Sequence, residues 1–172
     1  DVTRVGELRG ISRNAEGWRI GGATTWSDLI AAPLPPAFDM LKAAAREVGS
    51  VQIQNSATLA GNLCNASPAA DGVPPLLCLD AEVELSAAWG ARRMPLGDFI
   101  TGPRQTQLSD SELLSAIHVP DSAGTGQSRF LKLGARRYLV ISIAMVAIRA
   151  DIRNGNVADI ALSVGSCGPV AC

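Results

Sequence analysis

Histidine occurs once, at position 118, and the four cysteines, Cys64, Cys78, Cys167 and Cys172, form no CxxC pair. Zinc and iron–sulfur sites need several such ligands at close spacing, so neither is expected within this chain. The cysteines read instead as small apolar residues of a reducing compartment, with Cys64 set apart only by its position in the stretch discussed below. Long hydrophobic runs are also lacking. The longest, Leu139 to Ile148, is ten residues and ends at Arg149. That is about half of the roughly 20 residues a membrane span requires, so the run reads as a core strand. Charge of one sign is absent too: fifteen Lys and Arg stand against sixteen Asp and Glu, a net charge of -1. No electrostatic surplus points to nucleic acid or an anionic membrane as a partner. With neither an initiator methionine nor a basic and apolar leader, the chain reads as cytoplasmic.

What is present is apolar bulk. Hydrophobic residues make up 47% against 18% charged, over 172 residues with a mean hydropathy of +0.19. That composition suits one compact domain and excludes a disordered chain. Asp1 to Ile11 and Gly17 to Gly22 read as short strands around a turn at Asn14 to Gly17. Thr24 and Thr25 open a short helix that stops before Pro33, and Pro35-Pro36 opens another in which Phe38, Leu41, Ala45 and Val48 recur at helical spacing. Ala81 to Leu85, Arg92 to Leu96, Glu112 to Val119, Phe130 to Leu133, Leu139 to Ile148 and Val157 to Val164 read as strands. Strands that follow helices without a repeating βαβ pattern predict an α+β fold, a mainly antiparallel sheet with helices on one face. The boundaries expected are one domain over 1–165, with 166–172 beginning a link to something further.

The stretch most telling for function is Ser56 to Asp71, SATLAGNLCNASPAAD. Ala57, Ala60 and Gly61 leave room for close approach of a ligand. Thr58, Asn62, Asn65 and Ser67 offer donors and acceptors, and Asp71 contributes a fixed negative charge. Since no general base is evident, this chemistry suits holding a polar, extended molecule such as a nucleotide cofactor. The same small and amide-bearing residues also make ordinary loops. Two further positions carry paired readings. Leu113 and Leu114 must face opposite sides of one strand, so Leu114 either packs in the core or touches a ligand. Lys132 points opposite to Leu131 and Leu133, toward either solvent or a ligand. His118 is expected to be exposed, and Arg104 to be a solvated charge.

Thr58-Leu-Ala-Gly-Asn62 followed by Leu-Cys-Asn-Ala-Ser-Pro-Ala-Ala-Asp71 closely resembles a flavin-binding loop of the FAD-binding subunit of molybdenum hydroxylases, the xanthine dehydrogenase family. Glu112 to Ile117, Phe130 to Gly134 and Arg137 to Ala144 match in the same order. Two departures stand out: Ala60 replaces the first of a glycine pair, and Asn55-Ser56 replaces a basic residue and a glycine. The resemblance implies a domain of the type shared with vanillyl-alcohol oxidases, with a further glycine-rich flavin loop upstream and a C-terminal domain downstream. It implies that FAD is held by Ala57, Thr58, Gly61, Asn62, Cys64, Ser67, Asp71, Leu114 and Lys132. In that assignment Thr58 meets the flavin or its ribityl chain, Gly61 and Asn62 approach the diphosphate, and Asp71 accepts from hydroxyl groups. Molybdopterin and 2Fe-2S clusters are expected on partner subunits, a large molybdopterin-binding subunit and a small iron–sulfur subunit, the latter meeting an apolar patch. NAD+ or another acceptor would receive the electrons. The other reading kept open is a flavin-free interaction module derived from the same domain.

Overall fold

The computed structural model describes every residue except Asp1 and Thr3; the strand expected over Asp1 to Ile11 does not form among them, because Gly6–Leu8 makes a 3-10 turn and the first strand begins only at Ile11. From there, chain order runs β1 (Ile11–Asn14), β2 (Gly17–Gly21), α1 (Trp26–Ala31), α2 (Asp39–Glu47), α3 (Val51–Gln54), α4 (Leu59–Asn65) and α5 (Val73–Cys78). Then come β3 (Glu82–Ala87), β4 (Gly90–Pro95), α6 (Leu96–Phe99), β5 (Ile100–Gly102), β6 (Gln105–Thr106), β7 (Leu113–Pro120), β8 (Gln127–Leu133), β9 (Ala144–Arg153) and β10 (Asn156–Gly165).

Local chemistry explains the starts and stops. Asn14 Oδ1 accepts from the backbone N–H groups of Glu16 and Gly17, closing the β1–β2 turn. Gly17 has φ +136°, and a Cβ there would stand 2.1 Å from the Val119 carbonyl oxygen, so this turn needs glycine. Thr25 caps α1 reciprocally with Asp28, each side chain accepting from the other's backbone N–H at 3.1 Å. The Gly21-Gly22 pair closes the strand expected over Gly17 to Gly22. A Cβ on Gly22 would meet the Leu114 carbonyl oxygen at 2.3 Å, so the second glycine lets two backbones touch.

Strand pairing is antiparallel throughout. A five-stranded sheet has the order β1-β2-β7-β3-β4, a three-stranded sheet the order β10-β9-β8, and β5 pairs with β6. Helices α2 and α5 cover the inner face of the three-stranded sheet, and α4 rests on β7. The α+β expectation is therefore met. One continuous core joins both sheets, from Ile20, Val83 and Ile117 through Trp26, Phe38, Leu41 and Leu63 to Met145 and Ala147. Arg149, 2% exposed, crosses the inner layer to donate to the Cys78 carbonyl at the end of α5 and pairs with Asp159 at 2.7 Å.

Three further local expectations need correction. Leu139 to Ile148 is not one strand, because β9 begins only at Ala144. Leu139 takes φ +50° with its carbonyl held by the Arg136 guanidinium, and Ser142 is drawn off by a side-chain bond described below. The 56–71 stretch is not a continuous loop: Thr58 caps α4, accepting from Gly61 N–H at 3.0 Å, and Leu59, Ala60 and Leu63 go to the core. His118 is not exposed. Its strand alternation does carry it away from the core, but Glu84 covers it there at 2.9 Å and its side chain is only 12% exposed.

Candidate functional site

The site is built by the end of α4 and the turn into α5, faced by β8 and the segment between β8 and β9. Helix α4 ends at Ala66, which takes a left-handed φ of 44° in place of the glycine usual at such ends. The strain is held by Arg104, whose backbone N–H donates to the Ala66 carbonyl at 2.8 Å. Its guanidinium also donates to the Asn65 side chain, so Arg104 ties down the loop while remaining exposed, as expected of a solvated charge. The chain then turns through Ser67, whose Oγ accepts from Ala69 N–H at 3.2 Å. Asn62 Oδ1 reaches forward to Gly72 N–H at 3.2 Å and ties α4 to the start of α5.

Asp71 is the centre of this arrangement and is 6% exposed. Lys132 Nζ donates to its Oδ2 at 2.6 Å, and Ser142 Oγ donates to its Oδ1, also at 2.6 Å. The Lys132 side chain is 7% exposed, which removes its solvent-facing reading, while Leu131 and Leu133 on either side are open to solvent. A buried ion pair survives only when its remaining lone pairs and protons are satisfied, and the serine supplies one of those contacts. Behind the serine, Ser166 Oγ donates to the Ser142 carbonyl at 2.9 Å, and Ser166 N–H donates to Pro68 at 3.0 Å. The loop is thus bound to the three-stranded sheet through backbone and side chain alike.

These groups open on a cavity of about 210 Å³, lined by Asn62, Asn65, Ser67, Asp71, Lys132 and Val140 among others. The side-chain amide N–H groups of Asn62 and Asn65 and the Ser67 hydroxyl proton have no partner among the described residues. Four of the expected site residues therefore meet in one place: Asn62, Ser67, Asp71 and Lys132. Thr58 and Gly61 lie at the other end of α4, half-buried and exposed respectively. Ala57 is half-buried, its carbonyl accepting from Trp26 N–H at 3.2 Å. Cys64 packs against the core, and burial pushes its thiol pKa up. Leu114, 3% exposed on β7, belongs to the core and does not line the cavity. Ser142 is the residue sequence reasoning missed. A lone hydroxyl between Ile141 and Ile143 in an apolar run was its signal.

Residues 1–122 match the family described as the FAD binding domain in molybdopterin dehydrogenase. The chain belongs to that family. It is 36% identical over 98% of its length to the putative xanthine dehydrogenase FAD-binding subunit of Escherichia coli, and 30% identical over 96% to the glyceraldehyde dehydrogenase medium chain of Sulfolobus acidocaldarius. A chain of carbon monoxide dehydrogenase from Hydrogenophaga pseudoflava superposes with a TM-score of 0.89 at 29% identity, over 98% of this chain. This chain spans 59%, 58% and 59% of those three proteins respectively. The residues present fit the cofactor in the family's description. Unpaired donors and a fixed ion pair suit the hydroxyl-bearing and anionic parts of FAD. A cavity of about 210 Å³ is below the ~300–1,000 Å³ of pockets that enclose a whole small ligand, so it suits a part of the molecule.

Among the described residues no group of three or more His, Cys, Asp or Glu could hold a metal ion, and no helix is long and apolar enough to cross a membrane.

Proposed function

We propose that this chain is the FAD-holding part of an electron-transfer subunit in a xanthine dehydrogenase-like molybdenum hydroxylase. The observation that carries the reading is the Asp71–Lys132 pair, buried beside the free donors of Asn62 and Ser67 in a chain of this family. Asp71 keeps lone pairs for ribityl or ribose hydroxyls beyond the two it uses on Lys132 and Ser142. Thr58 and Gly61 present the start of α4 to the ribityl–diphosphate portion, and Asn62 and Ser67 donate along it. Lys132 brings a positive charge that suits phosphate or the electron-rich reduced ring. FAD, when bound, supplies the redox chemistry, taking electrons and giving them up; the side chains here bind and orient it and set its electrostatics.

Electrons would arrive by way of 2Fe-2S clusters on an iron–sulfur subunit, from a molybdopterin-binding large subunit, and leave to NAD+ or another acceptor. The names of the relatives support this arrangement, since they describe medium chains and FAD-binding subunits of dehydrogenases. The apolar outer face of β8–β10, which exposes Leu131, Leu133, Ile160 and Leu162, is the surface available for association. A cytoplasmic location is supported by four cysteines that are all free.

Titrating FAD into the purified protein, followed by flavin absorbance and fluorescence, tests the reading. Saturable binding that weakens by tenfold or more in Asp71→Ala is expected. Failure of the protein to take up FAD at all would leave the flavin-free interaction module in its place.

A further inference from the structure

We infer that Ser142 is a positioning residue for FAD, acting through Asp71; the inference rests on the functional reading above. Ser142 is 6% exposed, and its Oγ lies 2.6 Å from Asp71 Oδ1. A carboxylate only accepts, so the serine hydroxyl is the donor and the direction of the bond is fixed. Lys132 holds the other oxygen at 2.6 Å. Two donors from two different segments, β8 and the stretch leading into β9, therefore fix the plane of the carboxylate. Asp71 lines the cavity together with Asn62 and Ser67, and there the lone pairs left over would meet a ligand.

The carboxyl torsion of an aspartate is broad and two-fold, so one donor alone would not hold this plane. Without the Ser142 hydroxyl, the carboxylate turns and Lys132 engages both oxygens. Lone pair and ammonium alike are then lost to a ligand. Ser142 is suited to the task because its own backbone is anchored, its carbonyl accepting from Ser166 Oγ at 2.9 Å. Its neighbours Val140 and Ile141 line the same cavity. The segment thus delivers a wall of the site and the serine that sets its carboxylate.

The test is FAD affinity of the purified protein in a mutant cycle, with the unfolding midpoint measured on every variant. Ser142→Ala is expected to weaken FAD roughly 5- to 10-fold, the range for one ordinary hydrogen bond. In an Asp71→Ala background the same change should have no further effect, and Ser142→Thr, which restores a hydroxyl, should recover most of the affinity. Ser163→Ala is the control: Ser163 is 2% exposed on β10 and its hydroxyl has no partner among the described residues. It should leave FAD binding unchanged. Wild-type protein that binds FAD, with Ser142→Ala binding as well, would overturn the role of Ser142 alone. Equal losses from Ser142→Ala with and without Asp71 would overturn it too, by showing an action independent of the carboxylate. Wild-type protein that takes up no FAD would overturn the functional reading and this inference with it.

Discussion

The two sheets bury their inner faces in one core, yet their outer faces are opposites. On the five-stranded sheet the outer face is a polar network centred on Glu84, which accepts from Ser115 at 2.7 Å and contacts His118 at 2.9 Å, with Arg19 at 3.9 Å and Arg93 at 3.6 Å. Burial pushes the Glu84 carboxyl pKa up, but the hydrogen bonds from Ser115 and His118 and the neighbouring charges of His118 and Arg19 outweigh that and hold it below its usual range. On the three-stranded sheet the outer face carries Leu131, Leu133, Ile160 and Leu162, all more than half exposed. Arg129 shares that face, while two charged pairs lie on the inner side, Arg149 with Asp159 and Lys132 with Asp71. One sheet is finished against water by its own side chains. The other turns Lys132 inward to the candidate site, and leaves a mainly apolar face of the kind found where surfaces associate.

The largest effect that would break this contrast lies on the inner side. Asp71→Ala strands the Lys132 ammonium at 7% exposure, so unfolding free energy should fall by about 3–5 kcal/mol in urea denaturation. Replacing both partners, Asp71→Leu with Lys132→Met, should cost less than Asp71→Ala alone, because no buried charge remains. A double variant as unstable as the single one would show that the pair is not what joins the loop to the sheet.

On the outer side of the five-stranded sheet, Glu84→Ala removes the acceptor common to Ser115 and His118, and a loss of about 2 kcal/mol is expected. A loss below about 0.5 kcal/mol, the size of an ordinary surface change, would mean that the network decorates the sheet without supporting it.

A smaller effect is confined to acid. Arg92 on β4 donates to Glu112 at 2.6 Å, and that hydrogen bond, with those from the backbone and side chain of Ser109, pulls the Glu112 pKa down to about 2. Its value in the unfolded chain is about 4.3. The folded value is the lower one, so the contribution to stability is fully present above the unfolded value and is lost as pH falls through about 4 toward 2. Glu84 shifts in the same direction and adds to the loss. Stability measured from pH 5 to pH 2 should fall, and Glu112→Gln should make that fall shallower. An unchanged slope in the variant would remove the Arg92–Glu112 pair from the account.

How much of this was legible in sequence follows from the range of each interaction. The cap at Thr25, the turn at Asn14 to Gly17 and the α2 stripe are set by residues within four positions of one another, and the pattern shows them. Lys132 showed its direction by alternation, but its partner Asp71 is sixty-one residues away, and no local rule joins them. Helix α4 was hidden because seven residues rich in small and amide side chains look like a loop until the Thr58 cap is weighed. His118 failed for a different reason: alternation assigned its face correctly, but only tertiary structure brings Glu84 over it. The break before β9 depends on Ser142 and Arg136 forming side-chain bonds that outweigh strand propensity, again a contact of long range or positive φ.

The smallest expected effect tests the other half of the contrast. Leu131 is 75% exposed and Leu162 61%, so their side chains contribute little to the core they stand behind. Leu131→Lys with Leu162→Lys should therefore change unfolding free energy by no more than about 0.5 kcal/mol, while self-association measured by light scattering falls. If instead the double lysine variant loses 2 kcal/mol or more, these leucines are covered in the protein in solution, and the outer face of β8–β10 is already an interface. Either result fixes what the apolar face is for, because a surface open to water tolerates lysine and a filled one does not.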